Sequence, residues 1–144
     1  MIPADGDLAN VHASCVAVEG RGLLICGPSG SGKSAVALQL MALGAELVAD
    51  DRVILQRSDA QVMAHSPPAL QGMIEARGLG LLRARPLSAA PLALVADLGT
   101  AETDRLPPRR HVAVLGLQLP LVLRGDAAHF SFALLQYLRC GRAQ

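Results

Sequence analysis

Apolar positions along this chain fall in short runs separated by turn-forming residues, a pattern of many brief strands and few helices. Cys15–Val18 and Gly22–Cys26 read as two strands joined by a Glu19-Gly20-Arg21 turn. From Lys33 to about Leu43 the sequence KSAVALQLMAL holds strong helix formers and no breaker, and Gly44 supplies a C-terminal stop. Glu46–Ala49 predicts a strand that runs into Asp50-Asp51, and Val53–Gln56 with Gln61–Ala64 predicts a hairpin. Ser66-Pro67-Pro68 breaks the chain. The glycines in Ile74–Leu82 make that stretch loop-like. Leu92–Leu98 predicts a buried strand, Arg105 to Arg110 a loop around Pro107-Pro108, and His111–Leu115 and Leu119–Leu123 two more strands. A closing helix is expected from Phe130 to about Arg139. The Met1–Asn10 segment carries Asp5 and Asp7 and shows no basic-then-apolar pattern, and His12 is expected to precede the first strand.

Length and composition sharpen this picture. At 144 residues with no internal repeat or low-complexity linker, one domain over residues 1–144 is expected, with α/β character. Hydrophobic residues are 51% and charged residues 17%, which marks a folded chain. Aromatics are 2% with no Trp, so the core must be aliphatic, and a base-stacking surface for single strands is not expected. A net charge of +1 argues against a broad phosphate-backbone footprint, so no nucleic-acid partner is expected. No apolar run nears the ~18 residues of a membrane span, so no membrane partner is expected either. Cys15, Cys26 and Cys140 lack metal or C-x-x-C spacing and read as reduced thiols of a cytoplasmic protein.

Of 13 basic residues, 12 are arginine, and the single lysine is Lys33. It stands in Gly27-Pro28-Ser29-Gly30-Ser31-Gly32-Lys33-Ser34, which satisfies G-x-x-x-x-G-K-[ST] between a predicted strand and a predicted helix. Glycines let backbone N–H groups turn inward, the helix presents its positive end, and an ammonium provides a compact charge for β- and γ-phosphates. The Ser34 hydroxyl suits Mg²⁺. The pattern implies a nucleoside triphosphate with its metal, ATP and Mg²⁺.

Phosphoryl transfer also needs metal-organising groups and an acceptor for the nucleophile's proton. Asp50 and Asp51 stand 16 and 17 positions after Ser34 at the end of a predicted strand, where adjacent carboxylates can divide metal and acceptor roles. A solvated Asp-Asp-Arg turn fits these positions equally well. Glu75, one of four glutamates, lies in an apolar, glycine-rich run, as a turn residue or a metal ligand. His12 sits near enough in sequence to reach the phosphates, though a lone histidine is more often structural. His65, His111 and His129 show no suggestive spacing. Arg77, Arg105 and Arg124 are candidate phosphate or acceptor contacts.

Taken together, His12, GPSGSGKS, VADDR (Val48–Arg52) and IEARGLG (Ile74–Gly80) resemble the catalytic domain of HPr kinase/phosphorylase. The resemblance runs from about His12 to Arg105, with a weaker echo beyond. It implies a P-loop kinase-like fold related to phosphoenolpyruvate carboxykinase, with a mixed sheet and few helices. It further implies ATP- and Mg²⁺-dependent phosphorylation of a serine of the phosphocarrier HPr, and a homo-oligomer. Residue by residue, it makes Lys33 the phosphate contact, Ser34 and Glu75 the Mg²⁺ ligands, and Asp51 the base. Asp50 stands beside that base, His12 tunes the pair, and Arg105 falls where the family has a catalytic arginine. The family's N-terminal domain is not expected in this chain. Leu123–His129 departs from the family's flexible loop linked to the reverse, phosphorolytic reaction, and Ala76 stands where a β-branched residue is usual. Two other readings stand beside this one: a small-metabolite kinase, although no arginine-rich lid is evident, and a nucleotide-binding switch module with no acceptor.

Overall fold

The computed structural model describes residues 2–144. Its first strand, β1 (Leu8–Val11), lies in the segment that the sequence pattern leaves unstructured, so His12 follows a strand and does not precede the first one. β1 is short and mostly exposed, and its only pairing is to β5 (Val53–Ser58), with Val11 opposite Val53. An isolated four-residue run gives no periodic signal; the long-range partner defines it.

β2 (Ser14–Val18) and β3 (Arg21–Cys26) form the expected hairpin, with Glu19 at φ 52 and Gly20 at φ 78 in the turn. β3 leads through the glycine-rich loop into α1 (Lys33–Ala42), and β4 (Glu46–Ala49) returns antiparallel to β2. β6 (Gln61–His65) completes a hairpin with β5 and joins the start of β9 (Ala90–Ala101). β9 is longer than the Leu92–Leu98 expected, because it serves several neighbours. One edge pairs parallel with β3, and the other meets β6 and then, also parallel, β11 (Leu117–Arg124). β10 (Arg110–Val114) is the antiparallel outer partner of β11.

The expected loop at Ile74–Leu82 is instead a two-stranded hairpin, β7 (Met73–Ala76) and β8 (Gly80–Arg83), with Glu75 opposite Leu81. Its glycines serve the turn and the end of the ladder: Gly78 and Gly80 hold φ 86 and 137, open to glycine and costly to other residues. Reading glycine only as a breaker hid the strands that it connects.

The main sheet divides two aliphatic cores. Val16, Val18, Leu23, Ile25, Leu94 and Ala96 face α1 and α2 (Phe130–Cys140) on one side. Cys15, Ala17, Leu24 and Val95 face the other side, where β1, β5, β6 and β11 curl over them. Every residue of β2 is therefore buried, which is why SCVAV shows no polar alternation. Arg21 donates to the carbonyls of Leu138 and Arg139 at 2.7 and 3.0 Å and so fastens the negative end of α2 to the start of β3. Among the described residues no helix is long and apolar enough to cross a membrane.

Candidate active site

β3 ends at Cys26, in register with Asp97 of the parallel strand β9, which runs on to Ala101. The loop after β3 wraps over this end. Gly27 holds φ 144, and a Cβ there would lie 2.5 Å from Ser31 Oγ, so only glycine lets the loop fold back on itself. Ser31 N–H donates to Pro28 O at 3.1 Å, and Gly32 at φ 99 is the left-handed N-cap of α1. The amides of the first helical turn have no intrahelical acceptor, which leaves a ring of donors for an anion. Ser31 Oγ is buried without a hydrogen-bond partner. Lys33 is nearly buried, and its Nζ donates to the carbonyls of Gly27 and Pro28 at 2.8 and 3.1 Å, held at the mouth of the loop.

β4 delivers the two aspartates, and the backbone parts them. Arg52 N–H donates to Asp50 O at 2.8 Å across Asp51, which takes φ 68. This three-residue turn at positive φ is rare and strained, and aspartate tolerates it better than most residues. Asp50, 6% exposed, turns inward. Its Oδ1 accepts from Ser14 Oγ at 2.6 Å and Ser34 Oγ at 3.0 Å, and its Oδ2 from the Glu75 backbone N–H at 3.3 Å. Asp51 turns outward with its side chain 69% exposed, and its Oδ1 lies 3.2 Å from His12 Nε2. Ser34 and the Glu75 backbone thus meet at the Asp50 carboxylate, His12 and Asp51 pair toward solvent, Lys33 is held by the loop itself, and the Glu75 side chain is exposed.

Arg105 joins none of these contacts. It is exposed on the loop after β9 and makes no hydrogen bond or ion pair to these residues. The base of that loop is closed by Arg110, whose guanidinium forks onto both oxygens of Glu102 at 3.0 Å. That hydrogen bond, more than the charge alone, holds the Glu102 carboxyl below its ordinary range.

Two nearby groups escape a reading of motifs. Ser14 is a lone hydroxyl in a buried strand, and that oddity was its only signal. Asp97 lies within β9, level with the end of β3; its Oδ1 accepts from Gly99 N–H at 2.8 Å, and Gly99 lies against Pro28. A cavity of about 480 Å³ opens beside the loop, with Gly27, Pro28, His12, Cys26 and Asp97 on a wall that is otherwise aliphatic. Burial pushes the Cys26 thiol up to about 12, with Asp97 adding to the effect and Lys33 opposing it.

The donors suit a hard cation. No group of three or more His, Cys, Asp and Glu among the described residues could hold a metal by itself. Mg²⁺ rarely asks for that, binding instead through one or two protein oxygens plus phosphates and water. With its proton directed at Asp50, the Ser34 oxygen keeps lone pairs for such an ion, and Glu75, exposed, is tied at its backbone to the same carboxylate.

A strand–loop–helix cradle at the carboxyl end of a parallel strand defines a P-loop kinase-like fold. Residues 7–88 match the model of the HPr Serine kinase C-terminal domain, so the chain belongs to that family. It is similar to the HPr kinase/phosphorylase of Bordetella petrii, 49% identical over 78 residues, 54% of this chain and 25% of that protein. The enzyme of the same name from Enterococcus faecalis is 46% identical over 82 residues, 54% and 26% of the two chains. The aligned part is about a quarter of the length of these relatives. The solved HPr(Ser) kinase/phosphatase from Coxiella burnetii shares the fold, with TM-score 0.77, 21% identity, and coverage of 91% of this chain and 94% of that one. His12, the loop, both aspartates and Glu75 fall inside the family match; Arg105 lies outside it.

Proposed function

We propose that residues 1–144 act as one P-loop catalytic unit that transfers the γ-phosphoryl group of ATP to a serine of a protein acceptor, HPr. The reading places the protein in the cytoplasm and, by analogy with the family, in a homo-oligomer. The observation that carries it is the division of the aspartate pair: Asp50 turned inward to Ser34 and Glu75, Asp51 turned outward to His12. A nucleotide-binding module would need the first arrangement but has no use for the second.

The P-loop amides would bind the β-phosphate, and Lys33 would exchange the carbonyls of Gly27 and Pro28 for β- and γ-oxygens. Mg²⁺, when bound, neutralises charge on the phosphates. Ser34 and Glu75 are the residues that would hold it, and Asp50 fixes the direction in which the Ser34 hydroxyl donates. Asp51 would take the proton of the acceptor seryl hydroxyl, oriented by His12. Run backward, Asp51 would return that proton to the serine as inorganic phosphate attacks. The departure at Leu123–His129 from the family's loop for that direction makes the forward reaction the principal one proposed. Arg105 keeps its role as a charge-neutralising group on family resemblance alone. The apolar cavity beside His12 and the exposed Leu79 and Leu81 on the β7–β8 hairpin offer surface suited to a protein acceptor.

Asp51→Asn tests this directly, because asparagine also tolerates positive φ and keeps the turn. Mass spectrometry of HPr after incubation with MgATP should show phosphoserine formed about 10²- to 10⁴-fold more slowly, with nucleotide affinity retained. Near-normal transfer by the variant would remove Asp51 as the base. Turnover of a small alcohol but not of HPr by the unaltered protein would favour a small-metabolite kinase.

A further inference from the structure

β2 is buried from end to end, and its only polar side chain is Ser14, 1% exposed. Alanine would differ only by the loss of one oxygen atom, and the rest of the strand is apolar, so packing alone gives little reason for a hydroxyl there. A buried hydroxyl needs a partner, and its partner is the Asp50 carboxylate. We propose that Ser14 is a positioning residue for the metal site: it fixes the Asp50 carboxylate, which in turn accepts the Ser34 hydrogen bond and leaves the hydroxyl oxygen's lone pairs available to the Mg²⁺ that Ser34 would hold. This inference rests on the reading of the P-loop as a magnesium–nucleotide site.

The two hydroxyls share one oxygen unequally. Ser14 donates to Asp50 Oδ1 at 2.6 Å, in the short range of hydroxyl–carboxylate bonds, from a strand held on both edges. Ser34 donates to the same oxygen at 3.0 Å from the first turn of α1. The stiffer, shorter contact sets the carboxylate plane, and the longer one follows it. On the far side Oδ2 is held by the Glu75 backbone N–H, so rotating the carboxylate loosens Ser34 and the other proposed ligand together. Three separate elements, β2, α1 and β7, thus meet at one buried carboxylate. Partners that orient a ligand in this way change metal affinity by about 10- to 100-fold when removed.

The test reads binding, without any acceptor. A fluorescent ATP analogue is titrated into the unaltered protein, Ser14→Ala and Ser14→Cys, in EDTA and in saturating Mg²⁺. Affinity in EDTA should be unchanged, whereas the gain on adding Mg²⁺ should shrink about tenfold in both variants. Ser14→Cys is somewhat larger than serine, leaves no gap, carries only a weak donor, and gives the answer if the alanine variant fails to fold. Ser34→Ala should lose at least as much of the gain, and Ser14→Ala added to it should cost less than it does alone, since Ser14 acts in part through Ser34. A full Mg²⁺ gain in the Ser14 variants, or additive losses in the double variant, would overturn the inference while leaving the nucleotide site intact. Absence of Mg²⁺-strengthened binding in the unaltered protein would overturn both.

Discussion

Asp50 and Asp51 are neighbours with opposite surroundings, and their substitutions should separate accordingly. Asp50 is buried and accepts three hydrogen bonds. Asp50→Asn keeps an oxygen for the two serines but turns an amide N–H₂ toward the Glu75 N–H, donor against donor. Urea unfolding should show a loss of about 2–3 kcal/mol, with the dependence on denaturant unchanged. A midpoint equal to that of the unaltered protein would mean that Asp50 is better solvated than its 6% exposure indicates. Asp51 sits at φ 68 with its carboxylate largely in water, so its backbone is strained and its side chain adds little to stability. Asp51→Gly should therefore raise stability by up to about 1 kcal/mol while abolishing transfer, the trade expected where strain serves chemistry. A lower unfolding midpoint would show that the His12 contact outweighs the strain. In sequence the pair read equally well as a solvated turn. What separates them is the sign of one φ angle, which Asp-Asp-Arg does not encode.

Among the elements, those with a strong local signal were legible and those made by distant partners were not. The β2–β3 hairpin, the P-loop and α1 follow from turn chemistry and helix formers within a few residues. β1 exists only through pairing with distant β5, the local β7–β8 hairpin was hidden because its glycines read as breakers, and Ser14 matters only because β4 brings Asp50 beside it. The loop between β9 and β10 was foreseen as a loop, but its clasp was not. There the Glu102 carboxylate binds the Arg110 guanidinium and also accepts from the amides of Thr103 and Asp104 at 3.0 and 3.2 Å. Arg110 is the main reason that the Glu102 carboxyl sits below its ordinary range, with the two amides assisting. A depressed carboxyl contributes fully above the unfolded value of about 4.3 and is lost as pH falls through the lower folded value. Amide exchange at Thr103 and Asp104, corrected for intrinsic rates, should thus quicken in the unaltered protein only at acid pH. In Glu102→Gln it should be fast already at neutrality. Equal protection in both proteins at neutral pH would mean that the clasp does not order the loop that carries Arg105.

At the scale of the whole molecule, one sheet separates a helix-covered core from a core closed by its own curled strands, and the cysteines report on that division. Cys15 and Cys26 both belong to the curled side, Cys15 fully buried in β2 and Cys26 at the last position of β3 before the P-loop. Cys140 is exposed at the end of α2. Burial pushes the Cys15 thiol far up, and burial with Asp97 holds Cys26 at about 12 despite Lys33 nearby. The reactive species is the thiolate, whose fraction at Cys26 near neutral pH is then roughly 10⁻⁴ or less. A disulfide reagent near pH 7.5 should accordingly label a single thiol quickly, and Cys140→Ser should remove that fast phase entirely. All three thiols should react once the chain is unfolded in guanidinium. Cys26 lies within one residue of Gly27, so its slow reaction measures how often the loop end of β3 opens, and saturating MgATP should slow it further. Rapid labelling of Cys26 in the native protein, indifferent to nucleotide, would mean that the end of β3 is open and that Gly27–Ser34 does not close over a triphosphate.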